Sequence, residues 1–309
     1  MPVGLASMVG SHPRIGRHRP RRDRAGGTDM PGAGTRKSCR VRHGMGKAAA
    51  AAAFAIALAV PAVGSAAELS DIEVARLLAA ADRAKPIDLT GRDLSFLDLA
   101  GLDFKAARLD RANLHAVDFA GADLSHARLA GAHLDRSTVQ RTNFAGADLR
   151  GASLLRLSVT TELDLNPKAA GEAPNFAGAD LSGARIFARM VGANLRGADL
   201  TGARLGNYRL TVIELHPHTF LEMADLSGAR LRGAELYGVR FAWAKFVGAD
   251  LSGADLTGAD LTGADFTGAD VTGTKFDGAD LAQAVFRDMK GLDRAIGLDK
   301  ALNRDRIVR

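Results

Sequence analysis

The chain has 309 residues, is 47% apolar and 25% charged but only 5% aromatic, and contains 35 glycines. That length admits one large or two medium domains, and the shortage of rings excludes a core keyed by large aromatics in favour of one built from Leu and Ala. The formal charge of +6 is unevenly spread: residues 1–47 hold eleven Lys and Arg against Asp23 and Asp29, whereas residues 68–309 hold 30 basic and 33 acidic side chains. The basic balance of the whole chain therefore implies no polyanion partner for residues 68–309.

Residues 1–47 form a basic leader rich in Arg, Pro and Gly, without apolar periodicity, and translation is expected to start at Met45. Met45-Gly46-Lys47, the uncharged apolar run from Ala48 to Val63, and the small residues Gly64-Ser65-Ala66-Ala67 read as a secretory signal, with cleavage after Ala66 or Ala67. The segment 48–67 thus predicts a periplasmic or secreted protein with no membrane span after cleavage; the alternative is a cytoplasmic or N-terminally anchored chain. No apolar run follows Arg21-Arg22 closely enough for a twin-arginine signal. The single cysteine, Cys39, lies in the leader, so the mature chain has no disulfide and no thiolate chemistry.

Residues 68–86 predict a helical cap. Ser70-Asp71-Ile72-Glu73 is a capping-box pattern, and Val74 to Ala81 is a good helix former stopped before Pro86, so one helix is expected over 70–84. Its mixed charge argues against a membrane-surface helix.

Beyond it, repeats dominate. Every fifth residue from Leu89 to Leu154 is apolar, and a second register runs from Leu226 to Phe286. The unit is Ala-Asp-Leu-Thr/Ser-Gly, as at Ala249-Asp250-Leu251-Ser252-Gly253. A period of five fits neither regular element: five helical steps rotate a side chain about 140° off its face, and five strand steps reverse it. The chain must turn within each unit, with Ala and Leu inward, Asp outward between them, and Thr/Ser-Gly at the corner. Stacked coils then make a solenoid stabilised by neighbouring repeats. Phe246, Phe266 and Phe286, twenty residues apart, are expected to stack.

These tandem units over residues 87–288 resemble the pentapeptide-repeat family. The resemblance implies an all-β solenoid, a right-handed quadrilateral β-helix with twenty residues per coil, about ten coils and on the order of 45–50 Å in length. It also implies a non-enzymatic protein, since most members have no known activity.

Two stretches leave the register. Residues 160–174, with Asn166-Pro167 and Ala173-Pro174, are expected to form a loop between a first repeat segment, 87–159, and a second, 175–288. From Gly206 to Glu222, Tyr208, Ile213 and His218 occupy inward positions and Leu226 comes one residue late, which predicts a widened coil. The tail, 289–309, is expected to form a short closing helix.

No catalytic constellation, cofactor motif or phosphate loop is present. His216-Pro217-His218, with Glu214 and Glu222, is a weak metal pattern. His115, His126 and His133 are outward, His115 beside Asp135. A packed Leu/Ala interior leaves no small-molecule site. The expected partner is a protein, without direct nucleic-acid binding, and the candidate partner-binding surface is the acidic series Asp250, Asp255, Asp260, Asp265, Asp270 and Asp280. The primary functional expectation is an exported binding or structural rod. The alternative follows from the family's quinolone-resistance branch, which resembles DNA in shape and charge and binds type II topoisomerase in the cytoplasm.

Overall fold

From Asp88 onward the backbone pairs in parallel with itself one coil away. The computed structural model describes residues 67–104, 106–159, 172–206 and 219–309, all within one compact unit, Val60–Arg309. Bridges mostly five residues apart, most of them to a residue about twenty away, build four ladders, so each coil has four sides. The first ladder has ten rungs from Asp88 to Lys290 and passes through Arg230, Asp250 and Asp270. The second includes Arg204, Glu235, Asp255 and Lys275; the third Arg189, Phe220, Arg240, Asp260 and Asp280; the fourth Asn194, Asp225, Lys245 and Asp265. At one place only among the described residues does the pairing lengthen into strands, β1 (Ser153–Leu155) beside β2 (Arg185–Phe187).

The pentad is the shortest unit here that satisfies its own backbone. In Ala249–Gly253, Asp250 N–H donates to Ala229 O (2.9 Å) on one neighbouring coil; Leu251 and Gly253 donate to Asp270 O (2.8 Å) and Thr272 O (2.9 Å) on the other. Ala249 N–H closes the preceding corner onto Phe246 O (2.9 Å). The fifth N–H, of Ser252, is taken by the Asp250 carboxylate at 3.1 Å. Buried donors demand such complete partnering, and Gly253, at φ +69°, supplies the left-handed corner.

Ala and Leu or Phe point inward as expected and form one apolar cluster from Val74 to Ala301. Where Ser or Thr replaces the inward Ala, its hydroxyl reaches a carbonyl: Ser137 to Leu114 O (2.7 Å), Thr142 to Phe119 O (2.8 Å), Thr274 to Leu251 O (2.7 Å). Phe246 and Phe266 stack at 4.9 Å, but Phe286 meets Phe266 edge-on. Phe144 stacks on Phe176 at 4.8 Å.

The predicted N-terminal helix is shorter than expected, α1 spanning Asp71–Ala80. Its capping box is formed: Ser70 N–H donates to Glu73 Oε2 (2.8 Å) and Glu73 N–H to Ser70 Oγ (3.3 Å). Val74 and Leu78 are buried in the cluster. The helix stops before residue 84 because Ala81 is extended and the Asp82 carboxylate takes the Lys85 N–H (2.7 Å), a local bond that competes with helix.

Ladder offsets locate the register breaks. Asn143 pairs with Asn175, 32 residues on, so twelve extra residues leave between the third and fourth ladders; the register resumes around Glu172, whose carbonyl accepts from Arg141 N–H (2.8 Å). Residues 160–171 lie outside the described residues. The expectation of a coil one residue late is corrected: Arg185 pairs with Arg204, one residue short of twenty, and Arg204 pairs with Glu235, eleven beyond it. Both changes fall between the second and third ladders. Tyr208, Ile213 and His218 lie outside the described residues.

The tail differs from a closing helix. It continues the solenoid in hexads, with short 3-10 turns at Leu292–Arg294, Leu298–Lys300 and Arg304–Arg306 following left-handed Gly291, Gly297 and Asn303. Its rungs are Lys290, Ile296, Leu302 and Val308. The extra residue per side carries each turn, and the last coil is correspondingly longer than the regular twenty-residue coil.

Candidate binding surface

The six candidate aspartates do not form one patch. Asp250 and Asp270 lie on the first ladder, Asp255 on the second, Asp260 and Asp280 on the third, and Asp265 on the fourth. Each accepts the N–H two residues on within its own pentad, at 2.9–3.1 Å. This structural duty was missed from sequence, although Asp two residues before a corner is a recognised turn signal. Several are also paired: Arg232 with Asp250, Lys275 with Asp255 (3.1 Å), Asn303 with Asp280 (2.7 Å).

The electrostatics follow. Hydrogen bonds from Thr272 hold the Asp270 carboxyl below the usual range. At Asp250 and Asp255 partial burial opposes ionisation, but bonds from Ser252 and Arg232, and from Thr257 and Lys275, outweigh it and lower both.

The third face has a different character. The Arg189 and Arg240 guanidinium carbons sit 5.5 and 5.4 Å from the Phe220 ring centre, within cation–π range. Arg240 Nε lies 3.2 Å from Glu222 and 3.9 Å from Asp260. Burial pushes the Glu222 carboxyl up despite Arg240 and Arg189, and its Oε2 has no hydrogen-bond partner among the described residues. At the corner following this face, Met223 and Trp243 are 49% and 56% exposed, in the left-handed conformation that most other corners give to glycine. The Trp243 indole lies over Gly263, where a Cβ would overlap it. Sequence reasoning passed over this pair; the signal was a bulky residue at a position where Gly is the rule.

Nothing described resembles a reaction centre. Among the described residues no group of three or more His, Cys, Asp or Glu could hold a metal, and Glu214, His216 and His218 lie outside them. His115 rests edge-on against Phe96 at 5.5 Å, while Asp135 accepts from Ser153 Oγ (2.6 Å) and Leu155 N–H (3.0 Å). His126 packs over Gly146. A hollow of about 340 Å³ lies at the last coil, between Leu298, Arg304 and Ile307. No helix among the described residues is long and apolar enough to cross a membrane.

Among solved structures the chain is similar to HetL, a pentapeptide repeat protein involved in heterocyst differentiation regulation in the cyanobacterium Nostoc sp. strain PCC 7120. Identity is 26% over 78% of this chain and 100% of that one, with a TM-score of 0.32. It is also similar to QnrB1, a plasmid-mediated fluoroquinolone resistance protein, at 19% identity over 64% of this chain and 91% of that one, TM-score 0.30. A third similarity, to a pentapeptide repeat protein of the Arabidopsis thaliana thylakoid lumen, has 33% identity over 32% of this chain and 59% of that one, TM-score 0.18. No curated protein matches the chain. The family model for pentapeptide repeats matches in eight copies over residues 87–125, 118–156, 175–211, 224–263 and 264–288. With that match covering more than half of its length, and a backbone that completes its hydrogen bonds every five residues, the chain belongs to the pentapeptide-repeat family.

Proposed function

We propose that the protein is an exported, non-enzymatic rod, a right-handed quadrilateral β-helix with α1 closing its N-terminal end, that acts as a protein-binding or structural scaffold. One observation carries this reading: inward positions are filled by apolar side chains and the pentad backbone is self-satisfied. Outward side chains on a stiff frame are then the chemistry left to meet a partner. Export rests on the pattern from Met45 to Ala67. The second reading, a cytoplasmic DNA mimic that binds a type II topoisomerase, draws on the stacked carboxylates Asp250 with Asp270 and Asp260 with Asp280.

Two measurements separate them. Expressed with its own leader in a bacterial host, the product should appear outside the cytoplasm and begin at Ala67 or Glu68; a cytoplasmic product retaining residues before Met45 overturns export. Pull-downs from envelope and cytoplasmic extracts then compare the chain with a variant carrying Asn at 250, 260, 270 and 280. Asn keeps the turn acceptor and removes the charge. Topoisomerase captured by the natural chain and lost by the variant supports the mimic, whereas an envelope protein lost in the same way supports the exported scaffold.

A further inference from the structure

The four ladders carry their charges differently. On the second, where Arg204 meets Glu235 and Asp255 meets Lys275 on adjacent rungs, the opposite charges are already paired within the chain, at 3.5 and 3.1 Å. The fourth alternates, Asp225, Lys245, Asp265. The third separates its signs into blocks: Arg189 and Arg240 flank Phe220, then Asp260 and Asp280 follow. Across that boundary the Arg240–Asp260 contact is long at 3.9 Å, while Glu222 lies closer to Arg240 at 3.2 Å. Beside the boundary, on consecutive coils, stand the half-exposed Met223 and Trp243. A surface with a cationic half, an anionic half and an apolar strip along one border complements its own inverted copy.

We propose that the third face is a self-docking surface through which two copies pair side by side and antiparallel. A two-fold axis across the face, between the Arg240 and Asp260 rungs, keeps the Trp243 corner on the same side in both copies and sets rungs about 4.8 Å apart opposite one another. Arg240 then meets Asp260 of the second copy. The Phe220 rung, with the Arg189 guanidinium over its ring, meets Asp280. Parallel pairing would set Arg against Arg and Asp against Asp, so the order of charges selects the orientation. Trp243 and Met223 supply the apolar contact that charge pairs at a wet surface lack.

The chain contains a single tryptophan, so its emission reports this surface directly. Sedimentation velocity and fluorescence of the full chain across a dilution series should show mass doubling and a blue shift of Trp243 on one curve, with the midpoint moving to higher concentration in salt. Trp243→Gly, the residue used at neighbouring corners, should weaken pairing at least tenfold, an order-of-magnitude expectation for losing an aromatic anchor. Arg240→Asp should weaken it comparably, and adding Asp260→Arg should restore it to within about threefold. A chain that stays monomeric into the high micromolar range, or one that doubles in mass without any change in Trp243 emission, overturns the proposal.

Discussion

The Asp250 carboxylate accepts the N–H of Ser252 at 3.1 Å, the one pentad donor that no neighbouring backbone carbonyl takes. The same bond recurs at Asp265, which accepts from Thr267 N–H (2.9 Å) and Thr267 Oγ1 (2.6 Å). Asp265→Ala should therefore destabilise the rod by about 1–2 kcal/mol, whereas Asp265→Asn, which keeps an acceptor oxygen, should change it by about 0.5 kcal/mol or less. Thermal melts of the two variants check this. Equal losses would mean that charge, not the turn, is what the position supplies.

Inward and outward neighbours should differ more sharply. Leu256 is fully buried and Thr257 is part-exposed at the corner. Leu256→Asp buries a carboxylate without a partner and should cost at least several kcal/mol; Thr257→Asp should cost roughly 0.5 kcal/mol or less. Circular dichroism during denaturation distinguishes them.

Gly263 combines a left-handed φ of +65° with the indole of Trp243 above it. Gly263→Ala should cost the conformational penalty of about 1–2 kcal/mol and a steric term on top. In a Trp243→Gly background only the conformational part should remain, so a double-mutant cycle should show coupling of about 0.5 kcal/mol or more.

Acid should weaken the fold through its lowered carboxyls. The folded-state values of Asp123, Asp148, Asp199, Asp225 and Asp250 lie below the usual range. Groups lowered by folding contribute stability that is complete above the unfolded value, near pH 4, and is lost as pH falls through the folded values. Glu222 acts in the opposite sense, since burial raises its carboxyl and its ionised form opposes folding. Glu222→Gln should raise the melting temperature at neutral pH, with the difference shrinking below its folded value. Melting curves from pH 3 to 8 for both chains test both signs.

What the sequence determined by itself is the periodic part. An apolar residue at every fifth position cannot persist on a helix or a flat strand, so Leu89 to Leu154 and Leu226 to Phe286 already imply a chain that turns within each unit. Ser70 and Glu73 likewise announced the start of α1, because a capping box is local chemistry. Tertiary structure decided what depends on stacking. Which coil Asn143 meets is set by how many residues leave before the register resumes; Asn166-Pro167 and Ala173-Pro174 marked the twelve-residue excess in sequence, but the missing residue before Arg189 has no local signature. The hexads of the tail close the rod because Ile296, Leu302 and Val308 find carbonyl and N–H partners on the coil before them. The six aspartates read as one acidic run in a line of text but are distributed over four faces, because each five-residue step turns one corner. For the same reason Arg189, Phe220, Arg240 and Trp243, scattered in sequence, lie on one face and its border only once the coils are stacked.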